Sequence, residues 1–293
     1  MPGRVAVVGG SVDYTGAPYF AAISAMKTGA DLVHVFCEAS AGPVIKSYSP
    51  DLMVHPYLAT TASMSPGVDA FSELDSIYQR IVEVISRGVQ AIVIGPGLSR
   101  DGTMLETARR IIKMARRSEI PLVLDADALF LIQADFSLID GYRRAILTPN
   151  ANEFQRLCAS LNIAMEGEGD AAMRLSRALG NVTIVRKGPI DIITNGEEVL
   201  ECNFPGNSRR CGGQGDLLSG AIGTFVSWAL GVPRPPTPLR PLNMTDGDAI
   251  LTACWGACAL IRGAGRAAFE KHRRATLAQD VVGEIGPVFD RMY

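Results

Sequence analysis

Short runs of apolar residues alternate with longer amphipathic segments in the first forty residues of the chain. The β-branched run Arg4 to Val8 predicts a buried strand, and the small-residue segment Ala17 to Lys27 predicts a helix. The next apolar run, Asp31 to Phe36, predicts a second strand. A strand, a helix and a strand in this order are typical of an α/β protein with a parallel sheet.

The alternation of helices and strands continues through the middle of the chain. Residues Gly42 to Asp69, which contain prolines and serines, are predicted to form a loop. The predicted helices after this loop are Phe71 to Arg87, Gly102 to Arg117, Gln155 to Leu161 and Asp170 to Leu179. The predicted strands between them are Ala91 to Ile94, Pro121 to Leu124, Ala145 to Leu147 and Val182 to Val185.

A hairpin is predicted at the far side of the sheet. Its strands are Asp191 to Thr194 and Val199 to Asn203, and Asn195-Gly196 is predicted as a two-residue turn. The proline-rich residues Pro233 to Pro241 are predicted to form a surface excursion rather than a domain boundary. The predicted helices of the C-terminal part are Ala221 to Leu230, Asp246 to Lys271 and Leu277 to Phe289.

Three successive predicted strands end in glycine or polar motifs. These motifs are Gly95-Pro96-Gly97-Leu98-Ser99-Arg100, Asp125-Ala126-Asp127 and Thr148-Pro149-Asn150-Ala151-Asn152-Glu153-Phe154. Ligands of open parallel sheets bind in the crevice outside the carboxyl ends of the strands. We therefore predict a ligand site at this edge of the sheet.

A glycine-dense turn, Cys211 to Gly220, runs directly into the apolar helix Ala221 to Leu230. Such a turn points backbone N–H groups into one hollow at a helix N-terminus, where the helix dipole favours an anion. A carboxylate among phosphate-binding donors adds repulsion, so Asp216 is a candidate catalytic base that accepts a proton from an attacking hydroxyl. The alternative that Asp216 only caps the helix stays open.

Composition and charge exclude several classes of protein. The chain has 293 residues, of which 47% are hydrophobic and 20% charged, and we expect a single globular domain over residues 1–293. The formal net charge is −2 and the arginine pairs are scattered, which argues against nucleic-acid binding. The longest apolar stretch, around Ala249 to Ile261, is too short to span a bilayer, so no membrane association is expected.

Cysteine and histidine usage predicts no metal site. The six cysteines include no CxxC pair, so free thiols and a reducing compartment are expected. The histidines His34, His55 and His272 are too dispersed in sequence to suggest a ligand set. No charged-then-apolar leader precedes Val5, but the chain opens almost directly on a strand, and a natural precursor with an upstream segment is left open.

Six motifs occur in a fixed order along the whole chain. They are Gly9-Gly10 with Asp13-Tyr14-Thr15-Gly16-Ala17-Pro18, Gly95-Pro96-Gly97, Asp125-Ala126-Asp127, Thr148-Pro149-Asn150 with Glu153-Phe154, Lys187-Gly188 with Asp191, and Cys211 to Gly220. In this order they resemble the motifs of the ATP- or ADP-dependent NAD(P)H-hydrate dehydratases. The segment Arg209-Arg210-Cys211-Gly212-Gly213-Gln214-Gly215-Asp216 is similar to the eukaryotic ATP-dependent branch in particular.

The resemblance implies a ribokinase-like three-layer α/β/α fold with a central, mostly parallel sheet and no large lid. It implies that ATP phosphorylates the hydroxyl of hydrated NADH or NADPH in its S form, and that loss of the phosphate restores the dihydronicotinamide. It also implies Mg²⁺ as cofactor and a functional partnership with an NAD(P)H-hydrate epimerase. We expect a cytoplasmic enzyme, or a mitochondrial form if a leader precedes this sequence, and leave homo-oligomerisation open.

The resemblance also implies a role for each motif. Asp216 is the implied catalytic base, and the residues implied to surround the phosphate as an anion hole are Gly212, Gly213, Gln214 and Gly215. The residues implied to bind the hydrated dinucleotide are Asp13, Tyr14, Thr15, Gly97, Asn150, Ala151, Asn152, Glu153, Phe154, Gln155, Arg156 and Asp216. The residues implied to bind ATP are Lys187, Gly188, Pro189, Ile190, Asp191, Ser208, Arg209, Arg210, Cys211, Gly212, Gly213, Gln214 and Gly215.

Four residues in or beside these motifs need a separate interpretation. Asn150 and Glu153 resemble the family pair that organises Mg²⁺ and phosphate indirectly, but the same spacing predicts a capping box at a helix start, and both can hold together. Asp127 at the end of a strand is also typical of a helix cap. Ser99 stands where the family commonly has glycine, and serine disfavours a positive φ, so the geometry of the substrate loop depends on this residue.

Two alternative functions remain open from the sequence. A ribokinase-like kinase of a hydroxymethyl heterocycle uses the same loop and base but releases a stable phosphorylated product. The segment Asp13 to Pro18 and Gln214 favour the dehydratase over this kinase. A non-catalytic nucleotide-binding regulator is the second alternative, and the intact Asp216, Asn150 and Glu153 weigh against it.

Overall fold

A computed structural model describes residues 3–65, 67, 69–231 and 245–293. Nine strands within these ranges form one sheet in the order β3-β2-β1-β4-β5-β6-β7-β8-β9. The strands are β1 (Arg4–Val8), β2 (Leu32–Glu38), β3 (Met53–Leu58), β4 (Ala91–Ile94), β5 (Leu122–Leu124), β6 (Ala145–Leu147), β7 (Thr183–Arg186), β8 (Asp191–Thr194) and β9 (Val199–Cys202). Strands β1 to β7 run parallel, and β8 and β9 add an antiparallel hairpin, so the predicted sheet is confirmed.

Helices cover both faces of the sheet. They are α1 (Gly16–Thr28), α2 (Gly42–Tyr48), α3 (Ala70–Ile85), α4 (Gly102–Arg117), α5 (Asp127–Ala134), α6 (Ala151–Ser160), α7 (Glu168–Ala178), α8 (Gln214–Leu230), α9 (Asp246–His272) and α10 (Ala278–Met292). Alternate residues of β1 face opposite layers, because successive side chains of a strand point to opposite faces. Val5 and Val7 pack with α1, α8, α9 and α10, whereas Ala6 and Val8 pack with α3 to α7.

The predicted loop from Gly42 to Asp69 is wrong in part, because it contains helix α2 and strand β3. Strand β3 lies at the edge of the sheet and pairs only with β2. It carries Pro56 and the polar His55, and edge strands tolerate proline because one side needs no ladder hydrogen bond. The strand therefore lacks the apolar run that identified the central strands.

The predicted two-residue turn of the hairpin is also wrong. Thr194 pairs with Val199, so the turn has the four residues 195–198. The side-chain oxygen of Asn195 accepts hydrogen bonds from the backbone N–H groups of Glu197 at 3.0 Å and Glu198 at 2.9 Å. Asparagine side chains commonly organise turns in this way, which explains why Asn195-Gly196 alone mispredicted the turn length.

Most of the remaining helices lie close to their predicted positions, but α8 begins at Gln214, seven residues earlier than predicted, and α5 was not predicted. Helix α6 begins four residues earlier than predicted, and α10 continues through Pro287 to Met292. The predicted excursion Pro233 to Pro241 lies outside the described residues. No helix in the described part of the chain is both long enough and apolar enough to cross a membrane.

Two of the three histidines come together although they are distant in sequence. His34 on β2 and His55 on β3 stack, with 3.0 Å between Nδ1 of the first and Nε2 of the second. Burial and the neighbouring positive charges lower the pKa of His55 to about 4, so the pair is neutral at physiological pH. All six cysteines are free thiols, as expected.

Helices α1 and α8 pack at very short separation where Gly220 meets Ala21. A Cβ atom on residue 220 would lie 1.9 Å from the backbone oxygen of Ala21. A Cβ atom on Gly283 in α10 would meet no atom of another element within 4 Å. The same substitution at the two helical glycines therefore separates steric overlap from helix propensity.

We predict that Gly220→Ala lowers the free energy of unfolding by about 1–3 kcal/mol, because the two helices must move apart. The control Gly283→Ala is expected to raise it by about 0.5–1 kcal/mol, since alanine favours the helix and the added Cβ meets no packed neighbour. Urea denaturation followed by circular dichroism measures both. Equal stability of Gly220→Ala and the unsubstituted protein would contradict the close packing.

Candidate active site

The glycine loop forms the start of helix α8. Gly213 occupies the N-cap position with φ 90°, and no side chain caps the helix. A Cβ atom at this residue would lie 2.9 Å from Cβ of Ala278 and 3.0 Å from Cδ2 of Phe20, so both the positive φ and the close packing require glycine. Asp216 lies in the first turn instead of the cap position, and the capping interpretation of Asp216 is wrong.

A buried ion pair lies directly beside this loop. Nζ of Lys187, which follows β7, is 2.8 Å from Oδ1 of Asp125, which follows β5. Their side chains are 19% and 3% exposed. A Cβ atom on Gly215 would lie 3.3 Å from this Nζ and 4.0 Å from Oδ2 of Asp125, so the first turn of α8 packs on the pair.

The surroundings of Asp216 raise the pKa of its carboxyl group to about neutral pH. Burial and the negative charge of Asp125 raise the pKa of Asp216 to about 7, while the Lys187 ammonium opposes the rise. Burial disfavours the charge on Lys187, but the carboxylates of Asp125, Glu153 and Asp216 outweigh this and raise its pKa. A carboxyl group with a pKa near 7 is suited to accept a proton at physiological pH.

Asp125 is a member of this centre to which the sequence analysis gave no role. Its Oδ1 accepts hydrogen bonds from Nζ of Lys187 and, at 2.9 Å, from the backbone N–H of Ala126. The sequence feature that could have identified Asp125 is its position directly after a buried strand, as part of one of three successive strand-end motifs. The partner Lys187 was predicted to bind ATP, and its ammonium group pairs with Asp125.

Arg262 of α9 holds the turn at residues 187–191, and no sequence motif indicated it. Its Nε donates to Oδ2 of Asp191 at 2.6 Å, and Nη1 and Nη2 donate to the carbonyl oxygens of Pro189 at 2.9 Å and Gly188 at 2.7 Å. Oδ1 of Asp191 accepts the backbone N–H of Gly188 at 3.0 Å. The carboxylate of Asp191 thus shapes the turn from inside, while Ile190 is exposed.

The capping box predicted for Asn150 and Glu153 is present at the start of α6. Oδ1 of Asn150 accepts the N–H groups of Asn152 and Glu153, and Oε2 of Glu153 accepts the N–H of Asn150 at 2.8 Å. The charge of Glu153 still acts on Lys187, so this helix start borders the same centre. Of the other substrate residues expected here, Phe154 is fully buried in the core, whereas the exposed residues are Ala151, Asn152, Gln155 and Arg156.

The expected nicotinamide-side residues lie around Gly97. A Cβ atom on Gly97, which has φ 63°, would lie 2.5 Å from the backbone oxygen of Tyr14. Tyr14 is 59% exposed, Asp13 is exposed, and Oγ1 of Thr15 lies 2.8 Å from the hydroxyl of Tyr48. The structure therefore brings residues 13–15 against the loop after β4, with open surface on their other side.

Ser99 adopts the conformation that glycine would adopt, with φ 69°. Its N–H donates to Oδ2 of Asp127 at 3.0 Å, and its Oγ accepts the N–H of Asp101 at 3.1 Å. Asp127 does not cap α5, whose cap residue Ala126 has no side-chain hydrogen bond, so the capping interpretation of Asp127 is wrong. The loop keeps its left-handed residue at a cost of about 1–2 kcal/mol, offset by these hydrogen bonds.

The residues before the glycine loop offer positive charge. Arg209 is half-buried, Arg210 and Ser208 are exposed, and neither guanidinium forms an ion pair with a carboxylate of the described residues.

Cys211 has a pKa raised by burial and is therefore a neutral thiol at pH 7. Within the described ranges, no three His, Cys, Asp or Glu side chains are placed to hold a metal ion by themselves.

Comparison with known proteins identifies relatives over the whole chain. A family model described as NAD(P)H-hydrate dehydratase matches residues 5–287. A Bos taurus protein named ATP-dependent (S)-NAD(P)H-hydrate dehydratase is 48% identical over 295 residues, which cover 99% of this chain and 83% of that protein.

Solved structures support the fold. A ribokinase-like superfamily protein from Enterococcus faecalis V583 superposes with a TM-score of 0.68 at 20% identity, covering 99% of this chain and 87% of that one. An ADP/ATP-dependent NAD(P)H-hydrate dehydratase from Bacillus subtilis, co-crystallised with ATP/Mg²⁺, gives 0.65 at 19% identity, covering 99% and 92%. The expected ribokinase-like fold is thus confirmed, and by its family match and its full-length identity this chain belongs to the NAD(P)H-hydrate dehydratase family.

Proposed function

We propose that this protein is an ATP-dependent (S)-NAD(P)H-hydrate dehydratase that returns hydrated NADH and NADPH to the reduced coenzymes. The observation that carries the assignment is the position of Asp216, a carboxyl group with a pKa of about 7 in the uncapped first turn of α8, beside the buried Lys187–Asp125 pair. The names of the full-length relatives support the substrate class and the nucleotide.

The chemistry of the substrate explains the need for ATP. A hydroxyl group is a poor leaving group at neutral pH, and its phosphate ester is a much better one. Asp216 accepts the proton of the substrate hydroxyl while the hydroxyl oxygen attacks the γ-phosphate of ATP, the bond between the γ-phosphorus and the bridging oxygen breaks, and ADP leaves. The lone pair of the ring nitrogen then expels the phosphate, and loss of a ring proton restores the double bond.

The phosphate side of the reaction requires positioning and neutralisation of charge. The free N–H groups at the start of α8 and the helix dipole receive the transferred phosphate. Lys187 lies against Gly215 and supplies a fixed ammonium charge beside that position. Arg209 and Arg210 approach from the preceding segment and are available to the outer phosphates of ATP.

The residues present fit a magnesium ion that is held mainly by the nucleotide. Mg²⁺ in such sites takes one or two protein carboxylates and completes its shell with phosphates and water. In the described hydrogen bonds, Oε2 of Glu153 serves the capping box and Oε1 remains available. Glu153, oriented by Asn150, would therefore hold the ion through water, and the ion would neutralise the phosphate oxygens.

The two alternative functions are not favoured by the relatives. A heterocycle kinase would use Asp216 in the same way, but the family match points to the dehydratases.

The proposal includes three further properties. They are a cytoplasmic location, Mg²⁺ dependence and a functional partnership with an epimerase of the hydrate.

The first test is recovery of dihydronicotinamide absorbance when the protein is mixed with (S)-NADH hydrate and Mg²⁺, with ATP, with ADP or without nucleotide. We expect recovery with ATP and no recovery without nucleotide. Asp216→Asn is expected to lower kcat by about 10²–10⁴-fold, because it removes the base and keeps the shape of the side chain. Unchanged turnover in this variant would contradict the role of Asp216, and no recovery in any mixture would contradict the dehydratase.

The pH dependence of kcat/KM tests the electrostatic role of Asp125. Asp216 must be deprotonated to act as a base, so activity is expected to rise with pH through about 7. Asp125→Asn removes the negative charge that raises this pKa and is expected to move the acid limb to lower pH. An acid limb that stays in place in Asp125→Asn would contradict this coupling.

The raised pKa of Asp216 also has a consequence for stability. The folded protein binds this proton more tightly than the unfolded chain, whose carboxyl has the ordinary pKa of 3.8, so stability falls as pH rises from about 4 through about 7. Asp216→Asn is therefore expected to be more stable than the unsubstituted protein by about 4 kcal/mol at pH 8. The difference should shrink at pH 4, as measured by urea denaturation, and a pH-independent difference would contradict the prediction.

A further inference from the structure

The connection between helices α9 and α10 lies beside the glycine loop. A Cβ atom on Gly213 would lie 2.9 Å from Cβ of Ala278, the first residue of α10. Nε2 of His272, the last residue of α9, lies 3.8 Å from Oδ1 of Asp280 in α10. Burial raises the pKa of the Cys211 thiol in the loop, and the negative charge of Asp280 adds to the rise. The connection therefore borders the loop that receives phosphate in the proposed reaction.

Two exposed arginines begin this connection and have no carboxylate partner. They are Arg273 and Arg274, and neither guanidinium forms an ion pair within the described part of the chain. The preceding Lys271 differs from them, because its Nζ lies 2.6 Å from Oε1 of Glu284. Surface charges that no neighbour neutralises create a positive potential, and this potential attracts anions.

Arg273 has a backbone conformation that is costly for any residue with a side chain. Its φ of 52° and ψ of −131° lie outside the regions that L-residues favour. Its N–H donates to the carbonyl oxygen of Phe269, and its own carbonyl oxygen accepts the hydroxyl of the buried Thr276 at 2.6 Å. These hydrogen bonds hold the strained residue in place. Glycine adopts such a conformation readily, so arginine at this position lowers the stability of the fold relative to glycine.

The dipole of helix α9 does not explain why the strained residue is an arginine. Positive charge near a helix C-terminus is stabilising, but Lys271 and His272 already supply it in the last turn of α9. A residue that is kept in a strained conformation points to a function of its side chain. For Arg273 the side chain offers an unpaired positive charge next to the glycine loop.

We propose that Arg273 and Arg274 form a positive rim that strengthens the binding of ATP by attracting its phosphates. The inference rests on the proposed function and adds two residues that no motif indicated. Charges act over about 10 Å at about 0.1 M salt, so the rim needs no direct contact with the nucleotide. The start of α6, which is predicted to bind the hydrated dinucleotide, belongs to the opposite layer, so the rim acts chiefly on ATP.

Calorimetric binding of ATP, ADP and NADH, each with Mg²⁺ and without the hydrate, tests the rim. Arg273→Gln and Arg274→Gln are each expected to weaken ATP binding about threefold at about 0.05 M salt, the effect of removing one unit charge at about 10 Å. ADP should lose less affinity, because its Mg²⁺ complex carries less negative charge, and NADH binding should stay unchanged. The loss for ATP should nearly disappear at about 0.5 M salt, since screening is stronger.

The matched control is Arg117→Gln. Arg117 is an exposed arginine in the last turn of α4, in the opposite layer, and its guanidinium forms no ion pair with the described residues. This variant should leave the binding of all three ligands unchanged at both salt concentrations.

Two further substitutions of Arg273 separate its charge from its backbone conformation. Arg273→Gly is expected to raise Tm by about 2 °C, because glycine relieves the strain, and to weaken ATP binding as much as Arg273→Gln. Arg273→Lys keeps the charge and should bind ATP within about twofold of the unsubstituted protein. In turnover, KM for ATP should rise with the loss of affinity while kcat stays unchanged.

Unchanged ATP binding in both glutamine variants, a loss that persists at high salt, or an equal loss for NADH would overturn the rim. A loss in Arg273→Lys as large as in Arg273→Gln would also overturn it, because charge would not be the cause. A salt-sensitive loss of ATP affinity in a protein that restores no absorbance from the hydrate would support the rim and contradict the dehydratase instead.

Discussion

The ion pair between Lys187 and Asp125 is the interaction on which the candidate active site depends. Two buried charges are costly unless they are paired and hydrogen-bonded, and here the ends of β5 and β7 bring the partners to 2.8 Å. The pair lies under the first turn of α8, and both its negative and its positive charge act on the pKa of Asp216. Burial and the charge of Asp125 raise the pKa of Asp216 and Lys187 opposes the rise, so the pKa of this base lies at about 7. Packing and reactivity are thus set by the same contact.

The two helical layers contribute different parts of the chemistry. The layer of α1, α8, α9 and α10 supplies the glycine loop, its neighbouring arginines and, through Arg262, the shape of the turn at residues 187–191. The layer of α3 to α7 supplies the start of α6, where the charge of Glu153 acts on Lys187. The carboxyl edge of the sheet lies between them.

Several local features are stabilised by partners far away in sequence. Ser99 holds a left-handed conformation because the carboxylate of Asp127 accepts its N–H across a gap of 28 residues. The turn at residues 187–191 keeps its shape through Arg262, more than 70 residues further along. Such contacts explain how the loop after β4 and the turn after β7 keep defined geometry with little regular hydrogen bonding of their own.

The sequence by itself determined the central elements and the edge at which they meet. Buried parallel strands need continuous β-branched and apolar runs, so Arg4–Val8 and Ala91–Ile94 were recognised directly. The glycine loop at the start of α8 was recognised from its run of glycines. The sequence missed β3, because an edge strand with Pro56 has no such run. It also identified Asp216 without the reason for its reactivity. Tertiary structure decided that Lys187 faces Asp125 and that Asp127 binds Ser99. These are contacts between side chains distant in sequence, and their distances and burial follow only from the packing of the sheet and its helices.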